Sequence, residues 1–248
     1  MRLFIRSILV GEEDLSQKID PPPIPMGIFF PQEKATRSIQ KRDSRRVSVS
    51  TQHFDRGLQH LSESDPVLRI VIQHLQPQPP EPREANFESL IRIISGQQLS
   101  SAAAYNIYRR LKQTFEDSVI TPAMVLSSSK EQLLACGLSN AKAKYITLIA
   151  QEFAEQPNLI EELRGMSSEE VLATLQRFKG IGIWSASIFA LFYLHHPDVF
   201  VWGDISLKKA IRLLYEEEDL SEPQIEAVIQ LWRPYRSTAC LVLWKWLD

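Results

Sequence analysis

The chain has 248 residues, a hydrophobic fraction of 44% and a formal net charge of −2 at pH 7. This length suits one domain or two small ones with a sizeable core. The sequence contains only two cysteines, Cys136 and Cys240, which excludes a disulfide framework and a four-cysteine iron–sulfur cluster; we expect both to be small buried core residues.

The first fifty residues differ from the rest of the chain, with a net charge of +3 against −5 for the remainder. The prolines within 21–25 exclude a helix interior or a central strand, and the stretch 34–46 carries six Lys and Arg residues. We interpret residues 1–50 as a poorly ordered basic and proline-containing extension, with a DNA-tethering arm or a nuclear address as alternatives. Arg6 interrupts the apolar start of the chain, so we expect no secretory signal.

Helical patterns dominate the sequence after this extension. A helix is predicted to start near Asp65–Pro66, with proline in its first turn, and the proline-rich stretch 76–82 predicts a stiff linker. From Phe87 onward one helical pattern follows another, and we expect Ser139 and Ser167 to lie at helix caps.

Strand signals are almost absent. The run Val199–Val201 is the only strand-like segment, and it is too brief to form a sheet. The most apolar helix, at 183–194, is too short to span a bilayer, so we expect no membrane association. These patterns predict an all-α fold. We expect a soluble, intracellular protein, located in the cytoplasm of a bacterium or in the nucleus of a eukaryotic cell.

Two glycines one residue apart, Gly180 and Gly182, separate two helical patterns within residues 171–194. Glycine permits a tight reversal and the close approach of another backbone. The helix that follows begins with N–H groups that point out of the turn and can bind a phosphate. A carboxylate, Asp204, lies a short distance beyond that helix. This combination suggests chemistry on a nucleic acid.

Three further blocks flank this hairpin in the sequence: Phe87–Ser100, Val199–Asp204 and Trp232–Trp244. Together with the hairpin they resemble the helix-hairpin-helix (HhH-GPD) DNA glycosylase superfamily, and within it the alkyl-purine glycosylases of the 3-methyladenine DNA glycosylase II type. The resemblance covers roughly residues 85–248. It implies two helical subdomains with an active-site cleft between them, so we interpret residues 51–248 as the glycosylase domain.

Asp204 is the catalytic residue that the resemblance implies. From the sequence alone, an aspartate before Ile205 is a helix N-cap, and the two roles are compatible because a capping carboxylate is held in place. Cleavage of an N-glycosidic bond puts positive charge on the sugar, which a fixed carboxylate stabilises.

Two tryptophans are expected in the base pocket. Trp184 stands where bifunctional relatives have the lysine that forms a Schiff base, which implies base removal without strand cleavage; a core aromatic is the alternative. Trp244 aligns with a pocket tryptophan of the family, and a cationic purine over an indole gains cation–π energy. We assign Trp232 and Trp246 to packing.

The resemblance also places the groups that hold DNA. Gln98 stands at the family's wedge position, where it would fill the gap that a flipped base leaves; a surface loop glutamine is the alternative. The phosphate-binding candidates are Gly180, Gly182, Trp184 and Ser185. The carbonyls of Gln176, Phe178 and Gly180 correspond to those that hold a sodium or potassium ion in relatives. Lys142 and Lys144 are weaker contact candidates, and solvated lysines are the default interpretation.

The function that the resemblance implies is a monofunctional DNA glycosylase that removes alkylated purines, such as 3-methyladenine and 7-methylguanine, from double-stranded DNA. It would act as a monomer without a redox cofactor or ATP. The net charge is slightly negative, so either the acidic residues cluster away from the binding face or backbone amides replace lysines at the phosphates. We expect modest, salt-sensitive affinity for undamaged DNA. A glycosylase for another lesion class and a non-catalytic DNA-binding module are the alternatives.

Overall fold

A computed structural model describes residues 44–116, 118–215 and 220–248 of the chain. Within these ranges it contains thirteen α-helices and no β-strand, which confirms the all-α prediction. The helices are α1 Ser44–Ser64, α2 Pro66–Leu75, α3 Phe87–Gly96, α4 Ser101–Thr114, α5 Pro122–Ser127, α6 Lys130–Ala135, α7 Asn140–Glu155, α8 Leu159–Gly165, α9 Ser168–Leu175, α10 Ile183–Phe192, α11 Ile205–Leu214, α12 Glu222–Gln230 and α13 Arg236–Leu247.

Most of the predicted N-terminal extension, residues 1–43, lies outside the described residues. Helix α1 begins at Ser44, inside the stretch 1–50 that we interpret as extension. No proline or glycine occurs between Ser44 and Arg56, so nothing in the backbone chemistry of that stretch breaks the helix. The first helix therefore starts before residue 51, the boundary predicted between the extension and the helical domain.

The chain divides into two compact helical units. One unit contains α1 and α2 together with Pro197–Asp248, and the other spans Pro82–His196. The predicted linker at 76–82 carries the chain from the first unit to the second. In the part of the chain that the structure describes, no helix is long and apolar enough to cross a membrane.

The first unit is organised around the buried carboxylate of Asp65. Its Oδ1 accepts from the amides of Val67 and Leu68 at 3.0 and 3.1 Å, which caps α2 with Pro66 in the first turn, as predicted. Its Oδ2 accepts from Trp232 Nε1 at 2.7 Å and from the Tyr215 hydroxyl. Burial, followed by the charge of Asp65, raises the pKa of Tyr215 well above its usual value. The prediction that Trp232 is a packing residue is confirmed, since it is fully buried.

The second unit is built around α3, whose residues are almost all buried and which packs against α4, α7 and α10. Its helices begin at the predicted caps: Ser139 Oγ accepts from the Lys142 amide at 3.2 Å, and Ser167 forms a capping box with Glu170. Helix α10 is apolar on every side, as expected of a helix surrounded by others.

Both cysteines are free and buried, one in each unit, as predicted. Burial raises the pKa of the Cys240 thiol to about 12. The Sγ atom of Cys240 lies 3.8 Å from the Val199 carbonyl, whereas Cys136 Sγ lies 3.2 Å from Thr114 Oγ1. The Cys240 thiol is therefore a poor nucleophile, because the thiolate is the reactive form and burial disfavours it.

Two half-buried histidines, His195 and His196, follow α10. Burial lowers the pKa of both below 6.5; a hydrogen bond with the backbone of Arg83 opposes this shift at His195, and one with the backbone of Leu163 opposes it at His196. In the unfolded chain both rings titrate near their ordinary value, about 6.5. As the pH falls below that value, the unfolded chain takes up protons first, so the free energy of unfolding decreases.

Replacing His195 by asparagine should therefore make the free energy of unfolding less dependent on pH below about 6.5. Asparagine tolerates the positive φ of this position, +59°, and does not titrate. The measurement is the urea midpoint of the variant and the original chain between roughly pH 5 and 7.5. His74→Asn, at an exposed position of α2, is the matched control. A His195→Asn slope equal to that of the original chain would contradict the prediction.

Candidate functional site

The predicted hairpin forms as a turn between α9 and α10. The Ile181 amide donates to the Phe178 carbonyl at 3.0 Å, which closes the turn. Gly180 has φ +96°, and a Cβ added there would lie 2.4 Å from the ring of Tyr145 on α7. Only glycine satisfies both conditions, since an L side chain is strained at this φ and there is no space for one. Gly180 is therefore a structural requirement of the turn.

Gly182 differs from Gly180 in its surroundings. It is the N-cap of α10, is exposed, and provides no side chain to cap the helix. A Cβ added at Gly182 would meet no atom within 4 Å among the described residues. The first bond within the helix runs from the Ala186 amide to the Gly182 carbonyl at 3.0 Å, so the amides of Trp184 and Ser185 precede the helical ladder. The space beside Gly182 can admit another molecule, and the positive end of the α10 dipole favours an anion there.

The turn is held from outside by Gln97, a residue that the sequence analysis did not single out. Its Nε2 donates to the Gly180 carbonyl at 2.9 Å and to Ser185 Oγ at 2.8 Å. The hydroxyl of Ser185 accepts this bond, and its O–H group can still donate to a phosphate, as its backbone amide can. A sequence of two adjacent glutamines does not reveal which of them faces the hairpin.

Gln98, the predicted wedge, lies in the loop between α3 and α4. It is exposed and has φ +58°, in the left-handed region that residues other than glycine rarely adopt. Backbone strain of this kind occurs where surrounding contacts hold it in place, often at functional positions. The wedge role itself stays a prediction.

Lys142 is not the solvated lysine of the default interpretation. Its Nζ donates to the carbonyls of Ser95 and Gln97 at 2.9 and 2.7 Å, and burial lowers its pKa. Lys144, two residues further along α7, is exposed, in agreement with that interpretation. The sequence could not separate the two lysines, because the acceptors of Lys142 lie at the end of α3 and in the loop after it, more than 40 residues away.

Asp204 lies in the first unit, where it is the N-cap of α11 and is 2% exposed. Its Oδ1 accepts from the Ser206 and Leu207 amides at 2.9 and 3.3 Å and from the Ser206 hydroxyl. The predicted capping role is confirmed. The Ser206 donor was not predicted, although a serine two residues after an N-cap aspartate is within reach of its carboxylate. The carboxylate is thereby fixed in position.

The segment that leads to Asp204 is anchored to the start of α13. The Asp198 carboxylate accepts hydrogen bonds from Arg236 Nε at 2.6 Å and from Arg236 Nη2 at 3.1 Å. This bidentate ion pair fixes the relative orientation of the two side chains. The Val199 amide donates to Ser237 Oγ at 3.0 Å, and the Ser237 amide donates to the Pro197 carbonyl at 3.0 Å. These bonds take the place of strand pairing, and the run Val199–Val201 forms no strand, in agreement with the prediction that it is too brief for a sheet.

The predicted pocket tryptophans belong to different units. Trp184 lies in the first turn of α10 and Trp244 lies on α13, and each is half-buried. Trp246, two residues further along α13, is buried, which confirms its assignment to packing. The half-buried state leaves part of each indole accessible, whereas contact with a base stays a prediction for both.

Known proteins with sequences similar to this chain are DNA repair proteins. Residues 91–234 match the model of the HhH-GPD superfamily of base excision DNA repair proteins. The chain is 29% identical over 215 residues to DNA-3-methyladenine glycosylase 1 of Schizosaccharomyces pombe, covering 85% of this chain and 92% of that protein. It is also 29% identical over 200 residues to an alkylbase DNA glycosidase-like protein of the same organism, and this match covers 77% of this chain and 93% of that protein.

Solved structures of similar proteins agree with this likeness. The structure of the S. pombe 3-methyladenine DNA glycosylase in complex with abasic DNA matches with a TM-score of 0.67 and 29% identity, covering 77% of this chain and 95% of that chain. The DNA-3-methyladenine glycosidase of Bacillus halodurans matches with a TM-score of 0.65 and 30% identity, covering 75% of this chain and 86% of that chain.

Proposed function

The chain belongs to the HhH-GPD superfamily of base excision DNA repair proteins, and on that premise we propose that it is a monofunctional DNA glycosylase that removes alkylated purines from double-stranded DNA. The observation that carries the proposal is the fixed carboxylate of Asp204 at the start of α11, in a chain whose relatives are named for this activity.

Asp204 acts on the sugar of the damaged nucleotide. As the N-glycosidic bond breaks, positive charge develops on the deoxyribose, and a carboxylate that is already positioned stabilises this charge without reorganising. The donors on Oδ1, from Ser206 and Leu207, supply that preorganisation. An alkylated purine already carries positive charge, so it leaves with little help from a general acid. The substrates proposed are 3-methyladenine and 7-methylguanine.

The hairpin binds the DNA backbone. The amides of Trp184 and Ser185 and the open space at Gly182 receive a phosphate at the N-terminus of α10. The carbonyls of Phe178 and Gly180 each accept one hydrogen bond within the protein, and a carbonyl oxygen has two lone pairs. Together with the Gln176 carbonyl they can still ligate a sodium or potassium ion. Such an ion would add positive charge beside the phosphate.

Base removal without strand cleavage follows from the residue at 184. An indole cannot form a Schiff base with the sugar, so no β-elimination of the phosphate is expected. Gln98 fills the gap that the flipped base leaves in the duplex. Trp184 and Trp244 are the proposed base-contacting residues, and an indole face favours a cationic purine by about 0.5–2 kcal/mol.

A duplex with a single modified base tests this function. We expect alkali-dependent nicking at 3-methyladenine and 7-methylguanine, and no nicking before alkali is added. Nicking without alkali would contradict the role assigned to Trp184. Excision only at deaminated or oxidised bases would assign the protein to another lesion class, and DNA binding without any excision would make it a binding module.

A further inference from the structure

The loop between α3 and α4 is joined to two other elements of the second unit by side chains that the proposed mechanism does not use. We propose that Gln97 and Lys142 are positioning residues, which hold the loop of Gln98 against the hairpin so that wedge and phosphate-binding turn move as one body. This proposal rests on the proposed function, because it concerns how that function distinguishes distorted from intact DNA.

The first connection runs from the loop to the hairpin. Gln97 Nε2 reaches both the Gly180 carbonyl and Ser185 Oγ, at 2.9 and 2.8 Å. One of these acceptors is in the turn and the other is in the first turn of α10, so a single side chain spans the hairpin. Since an amide has two N–H donors on one nitrogen, Gln97 satisfies both acceptors at once.

The second connection runs from α7 to the loop. Helix α3 ends at Gly96, and the last carbonyls of a helix lack partners within it. Lys142 Nζ donates to two carbonyls at this end, those of Ser95 and Gln97. A positive charge at a helix C-terminus also interacts favourably with the helix dipole. Lys142 therefore holds the backbone of Gln97, the residue whose side chain holds the hairpin.

The third connection is a direct contact between α7 and the hairpin. Tyr145 lies three residues after Lys142 and so projects from the same side of α7. A Cβ at Gly180 would lie 2.4 Å from its ring, which shows how closely the hairpin backbone lies against the tyrosine. Helix α7 thus contacts both the loop and the hairpin, and these two contact each other. Such a closed set of contacts leaves the backbone of Gln98 little freedom and explains how its positive φ is maintained.

The chemistry requires this rigidity. A wedge residue fills the gap of a flipped nucleotide only if the protein grips the backbone of the same DNA at the correct distance. If the loop could shift relative to the hairpin, phosphate binding would continue and insertion of Gln98 would become weaker. Gln97 and Lys142 should accordingly control the preference for DNA with a missing base over intact DNA, and should have little influence on binding to intact DNA.

The test is a double-mutant cycle on the ratio of dissociation constants for intact duplex and for a duplex with a stable abasic-site analogue. We expect Gln98→Ala, Gln97→Asn and Lys142→Met each to lower the preference for abasic DNA by about tenfold, the equivalent of losing one charged or two neutral hydrogen bonds. Asparagine is one methylene too short to reach both acceptors. Neither change at 97 or 142 should lower the preference further when Gln98 is already alanine.

The controls separate positioning from folding. Lys144→Met removes a neighbouring exposed charge on α7 and should leave the ratio unchanged, whereas Lys142→Arg keeps a donor for both carbonyls and should restore it. Binding to intact duplex reports whether each variant is folded. The proposal would be overturned if Gln97→Asn or Lys142→Met lowered the preference for abasic DNA further in the Gln98→Ala background. It would also be overturned if both single variants kept a ratio of dissociation constants within about twofold of that of the original protein. If the original protein itself shows no preference for abasic DNA, the positioning proposal is overturned, whereas the proposed function fails only if the original protein excises no methylated purine.

Discussion

Replacing Asp204 by asparagine should reduce base excision by about 10²–10³-fold or more while the protein stays folded and binds DNA. The substitution removes the negative charge that stabilises the developing cation on the sugar and changes the shape of the side chain very little. Asparagine is also among the best N-cap residues, so the start of α11 is preserved. The measurement is single-turnover excision of 7-methylguanine from a duplex, read as alkali-dependent nicks.

The matched comparison is Ser206→Ala. This change removes the hydroxyl donor on Asp204 Oδ1 and leaves both the carboxylate and the backbone amide donors in place. It should lower the excision rate by much less than Asp204→Asn, about tenfold at most, because the two backbone amides still hold the carboxylate and the net loss of one hydrogen bond is about 0.5–1.5 kcal/mol. If Asp204→Asn keeps the original excision rate, the carboxylate has no catalytic role and the cap is its only function.

Replacing Gly180 by alanine should have the largest effect on stability, a loss of roughly 3 kcal/mol or more in the free energy of unfolding. The φ of +96° is unfavourable for alanine, and the new methyl group would overlap the Tyr145 ring. The closest ring atoms, Cγ and Cδ2, and the Tyr145 Cβ at 2.8 Å belong to the part of the side chain nearest the α7 backbone. The tyrosine therefore cannot move aside, and the hairpin or α7 must shift. Urea unfolding measures the loss.

Gly182→Ala provides the contrast within the same turn. Among the described residues no atom lies near the added methyl group, and φ is −92°, so the cost is that of a poorer N-cap, about 1 kcal/mol. We expect this variant to fold and to bind DNA more weakly, because the methyl group occupies the space proposed for the phosphate. A Gly182→Ala protein with unchanged affinity for DNA would move the phosphate site elsewhere. Equal stability losses for the two variants would contradict the assignment of their different roles.

The features that the sequence predicted correctly are those set by local rules. The start of α2 at Asp65–Pro66 and the caps at Ser139 and Ser167 each depend on a few neighbouring residues, and local chemistry decides them. The all-α fold follows from the helical spacing of apolar residues after Phe87. The catalytic assignment of Asp204 did not come from such rules, since local rules alone make it a cap; it came from the ordered blocks that resemble the family.

The features that the sequence did not predict are contacts between distant segments. Gln97 meets Gly180 and Ser185 across more than 80 residues, and Asp198 meets Arg236 across 38. A side chain's partners in such pairs depend on how helices pack, which no spacing rule encodes. The same limit applies to the placement of Asp204 relative to the hairpin, which stays a prediction.

The burial of Cys136 and Cys240 has a consequence for a protein that repairs alkylated DNA. Methylating electrophiles attack thiolates readily, and an exposed cysteine of ordinary acidity would be consumed by the reagents that damage the bases. These are the only two cysteines of the sequence, both are shielded, and the pKa of Cys240 is about 12. Burial therefore shields both thiols of this chain from the reagents that create its substrates.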